Sequence, residues 1–389
     1  MLIIFFLFIL FIFSSIKVSY LFKIEPFSDF YLYWLTSLNF SYYLKGGFII
    51  FFYSFFSQIL KWKPWLSAYF INISFLILLY FLIYKEFFKI NNLSIKIYGI
   101  IFLIFSNLIT IPFVSFVNTD IPAFILFIYF FYFFFKKKNI KILTLSAFFA
   151  FLFSSMRIQL FLILSIFLVF LMFFSKYYKI NIFFLIFILF FSLSGFLLHV
   201  SLLKFNKNSQ IKKIDRMVPL YSGLLTTEID DYCGSWTSKA VLEVKKDINK
   251  KLFHILSERL KQIKLNKIIL CKLKKIIFYD SIFSNWLNYY AYNVVSLKSN
   301  NFIINFFEKV DKIFLYFIKT LIFLWLFFYR DKKIKFIRFL FFILTLSFFL
   351  VHIVLEIQPR YFYPYYLTSL YLIGISIKTI KLNLNKLNF

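Results

Sequence analysis

The sequence predicts an all-α, polytopic integral membrane protein, a helix bundle of about ten transmembrane helices with one long extracytoplasmic loop. Hydrophobic residues make up 62% of the 389 residues and aromatic residues 25%. This composition leaves too little polar surface to cover a water-soluble body of that size. Apolar runs of about 18 residues or more recur along the chain, and such runs cross a hydrocarbon core as helices because lipid offers the backbone no hydrogen-bonding partners.

The predicted spans divide the chain into three parts. An N-terminal part, residues 1–203, includes a first external loop at 21–65; a long extracytoplasmic loop follows at 204–311, and the C-terminal part covers 312–389. The first span is expected not to be a cleaved signal, because its apolar stretch is long and it lacks a charged start and a small-residue cleavage site. The spans are expected at 2–20, 66–84, 97–115, 120–135, 142–156, 158–175, 181–203, 312–329, 339–355 and 361–377.

Lysine and arginine set the orientation. The chain has 45 of them against 16 acidic residues, a net charge of +29. Seventeen that lie in short loops or at span ends form one alternate set, against seven in the other, which predicts that both termini are cytoplasmic. The lysines are expected to meet membrane lipid headgroups, so no nucleic-acid partner is expected. The larger set is Lys85, Lys89, Lys96, Lys136, Lys137, Lys138, Lys141, Lys176, Lys179, Arg330, Lys332, Lys333, Lys335, Arg338, Lys378, Lys381 and Lys386, and the smaller is Lys17, Lys23, Lys45, Lys61, Lys63, Arg157 and Arg360.

This orientation places several ionisable residues at the external ends of helices. Ionisable groups at membrane depth are costly and commonly face a bundle interior or an aqueous cavity, so one external polar site could gather them. Each also has a simpler interpretation: Asp29 as a solvated loop acid, Asp120 as a helix N-cap and Arg157 as a turn residue reaching the headgroups. The residues are Glu25, Asp29, Asp120, Arg157, Glu356 and Arg360.

The segment from Glu356 to Pro364 has the most unusual chemistry. Besides its acid it carries the amide of Gln358, the guanidinium of Arg360 and the phenol of Tyr361 at the mouth of the last span. An aromatic belt would explain the tyrosine. It would not explain the acid, the amide and the guanidinium together, so we expect a substrate-binding role.

The first external loop contains an apolar segment at 41–60, just before the second span. It is typical of an interfacial helix. The alternative is an additional membrane helix, which would invert the orientation of everything downstream.

These features resemble the GT-C superfamily of polyprenyl-phosphate-sugar-dependent glycosyltransferases, especially the bacterial relatives of protein O-mannosyltransferases often called glycosyltransferase family 39. The resemblance covers most of the chain. It rests on four features in order: an acid after the first helix (Asp29), a Thr-Asp-Ile-Pro turn (Asp120), an arginine at an external turn (Arg157), and a late Glu-x-Gln-x-Arg-Tyr-x-x-Pro stretch from Glu356. The last is the most specific.

The resemblance implies a GT-C-like fold in a bacterial inner or plasma membrane and an inverting sugar transfer on the extracytoplasmic face. Asp29 would be the base that takes the proton of the acceptor hydroxyl, with Glu25 as a second candidate. Arg360 or Arg157 would neutralise the phosphate of the leaving polyprenyl phosphate. The best-known members pair two adjacent acids in the first loop, whereas Asp29 stands between Ser28 and Phe30, so a glycan or lipid acceptor is expected rather than a protein.

Two other functions compete with this one: a surface-polysaccharide repeat-unit polymerase and a lipid-linked-oligosaccharide flippase. A flippase would more often place charges at the membrane midplane. A polymerase shares the many helices, the large external loop and the external arginines, but it is not expected to need Asp29.

The sequence names no cofactor with certainty and leaves a divalent cation open, and its three histidines and two cysteines show no metal-ligand spacing. Both cysteines, Cys233 and Cys271, fall in the long loop, where a disulfide and two separate thiols are equally compatible with the sequence. The lysine-rich stretch from Ser238 to Phe278 is expected to form an amphipathic helix on the membrane surface with its lysines in the headgroups.

Overall fold

The computed structural model describes residues 2–26, 28–39, 46–136, 139–178, 180–204, 265–278, 284–291, 302–328, 331–355 and 359–382, and the single residues 218, 223, 242, 244 and 245. Across these residues the chain is helical and contains no β-strand, as the composition predicted. Five of the described helices are long and apolar enough to cross a membrane, as expected for a helical membrane protein. They are Ile3–Phe22, Pro64–Phe88, Leu93–Phe113, Ile182–Ser201 and Lys332–Val354.

Ten helices are described in the N-terminal part. Several begin where the sequence supplies a start signal: Pro64 opens α4, and the side chains of Asn92 and Asn139 accept backbone N–H groups at the starts of α5 and α7. The helices are α1 (Leu2–Phe22), α2 (Ser28–Leu38), α3 (Ile49–Ser54, continued by a π-helical turn at Phe55–Ile59), α4 (Pro64–Ile83, continued likewise at Tyr84–Phe88), α5 (Leu93–Thr110, then a 3₁₀ turn at Ile111–Phe113), α6 (Asp120–Phe134), α7 (Ile140–Met156), α8 (Ile158–Phe173), α9 (Ser175–Tyr178) and α10 (Ile182–Lys204).

Five further helices are described in the remainder of the chain. They are α11 (Leu265–Phe278), α12 (Ser284–Tyr289), α13 (Phe302–Phe328), α14 (Lys335–Val354, after a 3₁₀ turn at Lys332–Ile334) and α15 (Tyr363–Lys381, after a 3₁₀ turn at Pro359–Phe362). Each of the ten predicted spans coincides with a helix. The largest difference is in α13, which begins at Phe302 rather than at 312.

Helix α6 forms the centre of the bundle. Almost all of its side chains are buried, as expected for a helix that is apolar on every face. Its phenylalanines contact rings on several other helices: Phe127 contacts Phe153 of α7 at 5.1 Å between centroids, and Phe131 contacts Phe167 of α8 at 5.5 Å. The third contact, between Phe124 and Tyr363 of α15, is the shortest at 4.1 Å. This packing fixes the start of α6, where the polar residues lie.

Residues predicted to share one side of the membrane lie together at one end of the bundle. Glu86, after α4, forms an ion pair with Lys378 of α15 at 2.7 Å. Lys335, at the start of α14, donates to the Tyr177 hydroxyl of α9 at 2.8 Å. These contacts join the basic ends of the helices. The end of α6 lies beside the first of these pairs, since Tyr132 and Lys136 line one cavity with Glu86 and Lys378, whereas Asp120 lies at the other end of α6.

The segment at 41–60 is not a full-length membrane helix in its described residues. Helix α3 and its π-helical turn cover Ile49–Ile59, and eleven residues span roughly 16 Å, about half of a hydrocarbon core. The segment instead folds back on α2, where Gln58 Nε2 donates to the Ser37 carbonyl oxygen at 2.6 Å. The described residues between α1 and α4 therefore contain two short helices, α2 and α3.

Candidate functional site

A buried ion pair joins the start of α6 to the turn between α7 and α8. Arg157 Nη2 lies 2.5 Å from Asp120 Oδ2, and the side chains are only 10% and 5% exposed. Arg157 is the single residue between α7 and α8, where its extended backbone ends one helix and begins the next. The structure thus brings together two of the residues that the sequence predicted for one polar site.

The simpler interpretations of this pair are wrong. Asp120 is not the N-cap of α6, because Thr119 occupies that position and Asn118 Oδ1 accepts the backbone N–H of Ile121 at 3.1 Å. Its carboxylate instead faces Arg157 from the first turn, where the helix dipole favours negative charge. Arg157 does not reach out to headgroups, because it is buried.

Tyr53 of α3 anchors the loop between α1 and α4 to the segment that leads into α6. Its hydroxyl donates to the Asn118 carbonyl oxygen and accepts the Asn118 backbone N–H, both at 3.0 Å. The ring is fully buried, and burial raises the pKa of the phenol. Tyr53 therefore stays neutral, which is the state that can donate and accept at once.

A turn at Gly46 and Gly47 brings the same loop against both members of the ion pair. Both glycines have positive φ, +105° and +58°. A Cβ atom on Gly47 would lie 1.7 Å from the Ser155 carbonyl oxygen, two residues before Arg157, and one on Gly46 would lie 3.2 Å from Cγ2 of Thr119, beside Asp120. Glycine is needed here for conformation and for close approach.

The Ser155 carbonyl also accepts a hydrogen bond from α10. His199 Nδ1 lies 2.8 Å from this oxygen, so Nδ1 carries the proton, and the ring is buried. The turn before Arg157 is therefore fixed by the first loop on one side and by α10 on the other.

Asp29 and Glu25 lie in the same loop as Tyr53 and the two glycines. Asp29 is in the first turn of α2 and is partly buried, and the next residue, Phe30, is fully buried and packs on Phe116 with ring centroids 5.3 Å apart. Phe116 precedes Asp120 by four residues. Glu25 is exposed, and its backbone N–H donates at 3.1 Å to the hydroxyl of Tyr290, the residue that directly follows α12.

A second buried acid belongs to this end of the bundle and was not predicted. Asp311 of α13 is 2% exposed and acts electrostatically on the Tyr363 hydroxyl at the start of α15. That hydroxyl also interacts with the side chain of Thr110 at the end of α5. Because the ring of Tyr363 packs on Phe124, one turn into α6, this group lies beside the ion pair's helix.

Lys272 of α11 caps the C-terminal end of α14. Its buried Nζ donates to three carbonyl oxygens, of His352 at 3.1 Å, Ile353 at 2.6 Å and Leu355 at 3.0 Å. A helix end leaves its last carbonyls without partners in the helix, and a lysine there satisfies them and complements the dipole. The helix prediction for this stretch is confirmed over 265–278, but the placement of its lysines in headgroups is wrong for Lys272.

The late polar stretch is described in part. Tyr361 is buried, and its ring stacks on the imidazole of His352 with centroids 6.0 Å apart. Glu356 and Gln358 lie outside the described residues, and so does the side chain of Arg360. Tyr361 is thus the predicted residue of this stretch whose surroundings are known.

The sequence did contain a signal for Asp311. The buried positions of α13 recur every three or four residues, and Asp311 occupies one of them between Phe307 and Leu315. An acid inside an apolar stripe is a candidate for a buried polar site. Lys272 and Tyr53 gave no such signal, since one lies among other lysines and the other among other aromatic residues.

These contacts define the class of the molecule as a helical membrane protein with a buried polar site at one end. Within its described residues, no group of three or more His, Cys, Asp or Glu side chains is arranged to hold a metal ion. No family model, curated protein or solved structure matches the chain.

Proposed function

We propose that this protein is an integral membrane glycosyltransferase that moves a sugar from a polyprenyl-phosphate donor to a glycan or lipid acceptor on the extracytoplasmic face. The observation that carries the proposal is the buried Asp120–Arg157 pair and its attachment to the first loop through Gly47 and Tyr53. The family resemblance rests in part on Asp29, Asp120 and Arg157, and the loop that carries Asp29 also makes the Gly47 and Tyr53 contacts beside this pair. Buried charges inside membranes are functional candidates by default.

The proposal includes ten membrane crossings with both termini in the cytoplasm. Helices α6 to α8 have 15 to 17 residues, which reach roughly 23 to 26 Å, slightly less than a hydrocarbon core of about 30 Å. The short helices of the first loop, α2 and α3, would cover the external ends of these helices. The disulfide-bonded state of Cys271 supports an extracytoplasmic long loop, because disulfides persist in oxidising compartments.

Asp29 would serve as the base. The acceptor oxygen forms a bond to the anomeric carbon as its proton passes to the Asp29 carboxylate. The bond from the anomeric carbon to the phosphate oxygen breaks, and the polyprenyl phosphate leaves with the electron pair, so the anomeric configuration inverts. The first turn of α2 suits this role, since the positive end of the helix dipole favours a negatively charged side chain there.

The leaving phosphate gains negative charge and needs a cation. Arg157 is already paired with Asp120, so its net charge toward a phosphate is reduced. We therefore assign Arg157 and Asp120 to positioning the turn between α7 and α8. Arg360, the other candidate of the sequence, would contact the phosphate with its fork of N–H donors.

The test is sugar transfer by membranes supplied with radiolabelled polyprenyl-phosphate sugars. Wild-type protein is compared with Asp29→Asn, with Glu25→Gln for the second candidate base, and with Asp331→Asn as a control acid at the opposite end, all at equal protein levels. Loss of transfer in Asp29→Asn of about 100-fold or more, with the control unchanged, is the expected result for a general base. Equal transfer by wild type and Asp29→Asn would exclude Asp29 as the base.

Failure of wild-type membranes to transfer any supplied sugar would contradict the proposed glycosyltransferase activity. A repeat-unit polymerase would then be the better proposal if supplied lipid-linked repeat units are lengthened. Translocation of those units without elongation would favour a flippase.

A further inference from the structure

A cavity lies at the end of the bundle opposite the candidate site. It has a volume of about 210 Å³ and opens between the π-helical turn after α4, the end of α6 and the end of α15. This is far more than the ~15 Å³ that one water needs. Its walls are Glu86, Tyr132, Phe135, Lys136, Tyr371, Ile375, Lys378 and Thr379.

The charged groups of the cavity are partly withdrawn from solvent. Glu86 and Lys378 form the 2.7 Å ion pair across it, with side chains only 12% and 19% exposed. Lys136 donates to the hydroxyl of Tyr132 and places its ammonium 4.0 Å from the centroid of the same ring. Lys85, just outside the wall, approaches that ring to 5.8 Å.

Cations therefore outnumber anions here. Three ammonium groups, on Lys85, Lys136 and Lys378, and one carboxylate, on Glu86, lie in or beside the cavity wall, which leaves a charge excess of two among the described residues around a half-enclosed space. Like charges held close together at the edge of a low-dielectric body repel more strongly than in water. An anion in the cavity would relieve that repulsion, and the Lys136 ammonium and the Tyr132 hydroxyl can both donate to its oxygens.

We propose that this cavity binds a phosphate ester. A phosphate offers several acceptor oxygens and up to two negative charges, which match the excess, whereas the apolar wall of Phe135, Tyr371 and Ile375 would cover the organic part of the ester. Two sources share this chemistry. One is an anionic phospholipid, because basic pockets between membrane helices bind such headgroups; the other is a small soluble phosphate ester.

The test measures binding to purified, delipidated protein as a ligand-dependent rise in the thermal unfolding midpoint. Three probes are titrated: phosphatidylglycerol, phosphatidylcholine as the zwitterionic comparison, and glycerol 3-phosphate. We expect phosphatidylglycerol or glycerol 3-phosphate to stabilise the protein and phosphatidylcholine not to. A response to phosphatidylglycerol alone identifies a lipid headgroup, and a response to glycerol 3-phosphate identifies a soluble ester.

Three variants connect any response to the cavity. Lys136→Gln keeps a donor for Tyr132 but removes one charge, and we expect roughly five-fold weaker binding. Glu86→Gln removes the competing carboxylate, so binding should tighten. The matched control is Lys335→Gln, because Lys335 also donates to a tyrosine hydroxyl and lies 5.3 Å from that ring at the same end, but outside the cavity.

The two opposite expectations keep the proposal testable even if one variant folds poorly. It is overturned if neither anionic probe raises the midpoint, or if Lys335→Gln weakens binding as much as Lys136→Gln. Tighter binding by Glu86→Gln together with weaker binding by Lys136→Gln supports it. The site does not depend on the proposed transferase activity, so failure of one leaves the other intact.

Discussion

Gly47 and Ser155 approach so closely that no side chain fits between them, since a Cβ atom on Gly47 would lie 1.7 Å from the Ser155 carbonyl oxygen. Ser155 is two residues before Arg157, and Gly47 is in the loop between α1 and α4. A short-range backbone contact thus connects the loop that carries Asp29 to the turn that carries Arg157. The two parts of the candidate site are expected to move together.

Gly47→Ala should separate the first loop from the ion pair. A positive φ costs an L-residue about 1 to 2 kcal/mol, and forcing a methyl group against backbone adds about 1 to 3 kcal/mol. Gly46→Ala is the matched control, because its Cβ would meet the end of the Ile50 side chain at 2.9 Å, which can move. Unfolding titrations in mixed micelles should show the larger loss for Gly47→Ala, and equal losses would contradict the close-approach explanation.

Breaking the buried ion pair should be costly. Arg157→Met or Asp120→Asn alone leaves one buried charge without its counter-ion, which destabilises by about 3 to 5 kcal/mol. The double variant should lose much less than the sum of the two, because neither charge remains. Free energies of unfolding for the four proteins provide the measurement.

An exposed ion pair serves as the comparison for this double-mutant cycle of Asp120 and Arg157. Glu308 and Lys312 on α13 lie 3.0 Å apart but are 35% and 40% exposed. Solvent screening limits such a pair to about 1 kcal/mol or less, so Lys312→Met should have a small effect. Additive losses at Asp120 and Arg157 would mean that the two residues are not energetically coupled.

The helices could be predicted from the sequence because length and apolarity are local properties. The exception, the start of α13, shows the limit of that signal. Residues 302–311 include Glu308, Lys309 and Asp311, so mean hydropathy ends the span early, whereas the buried stripe through Ile304 and Phe307 continues the helix. A helix that is partly amphipathic is extended by packing, which hydropathy does not measure.

The sequence predicted which site residues lie at the same end of the bundle, but not all of the contacts that hold them there. Alternating helix directions placed Asp120 and Arg157 at the same end, and the structure joins them. The contacts of Tyr53 with Asn118, and of Lys272 with the end of α14, join segments 65 and about 80 residues apart. Their partners are backbone atoms, which every residue has, so no pattern of residue types marks them.

Removing Lys272, which caps the C-terminal end of α14, should destabilise the last turn of that helix, just before the late polar stretch. Lys272→Met keeps the length of the side chain but withdraws three hydrogen bonds from the carbonyls of His352, Ile353 and Leu355, at a cost of about 2 to 3 kcal/mol. Hydrogen exchange should become faster in the last turn of α14. Lys274→Met, at an exposed position of the same helix, is the control and should change stability by less than about 0.5 kcal/mol.

If exchange in the last turn of α14 is unchanged in Lys272→Met, the lysine does not hold that helix end. Equal acceleration in the two variants would instead assign the effect to loss of a positive charge on α11. Either result would mean that the Lys272 hydrogen bonds do not stabilise the end of α14.

The thiol of Cys271 should be unreactive in cells until a reductant is added, because Cys271 is disulfide-bonded. Cys233, the only other cysteine of the sequence, lies outside the described residues. Cys233→Ser should therefore release a Cys271 thiol that a membrane-impermeant maleimide labels on intact cells. The control is Lys141→Cys, an exposed position at the opposite end of the bundle, which should react only after the membrane is permeabilised.

Because disulfides persist outside the reducing cytoplasm, labelling of Cys271 on intact cells would place the long loop on the extracytoplasmic face, where the sugar transfer is proposed. Labelling at Lys141→Cys on intact cells, with Cys271 protected, would reverse the orientation and place the Asp120–Arg157 pair in the cytoplasm, where a polyprenyl-phosphate donor facing outward could not reach it.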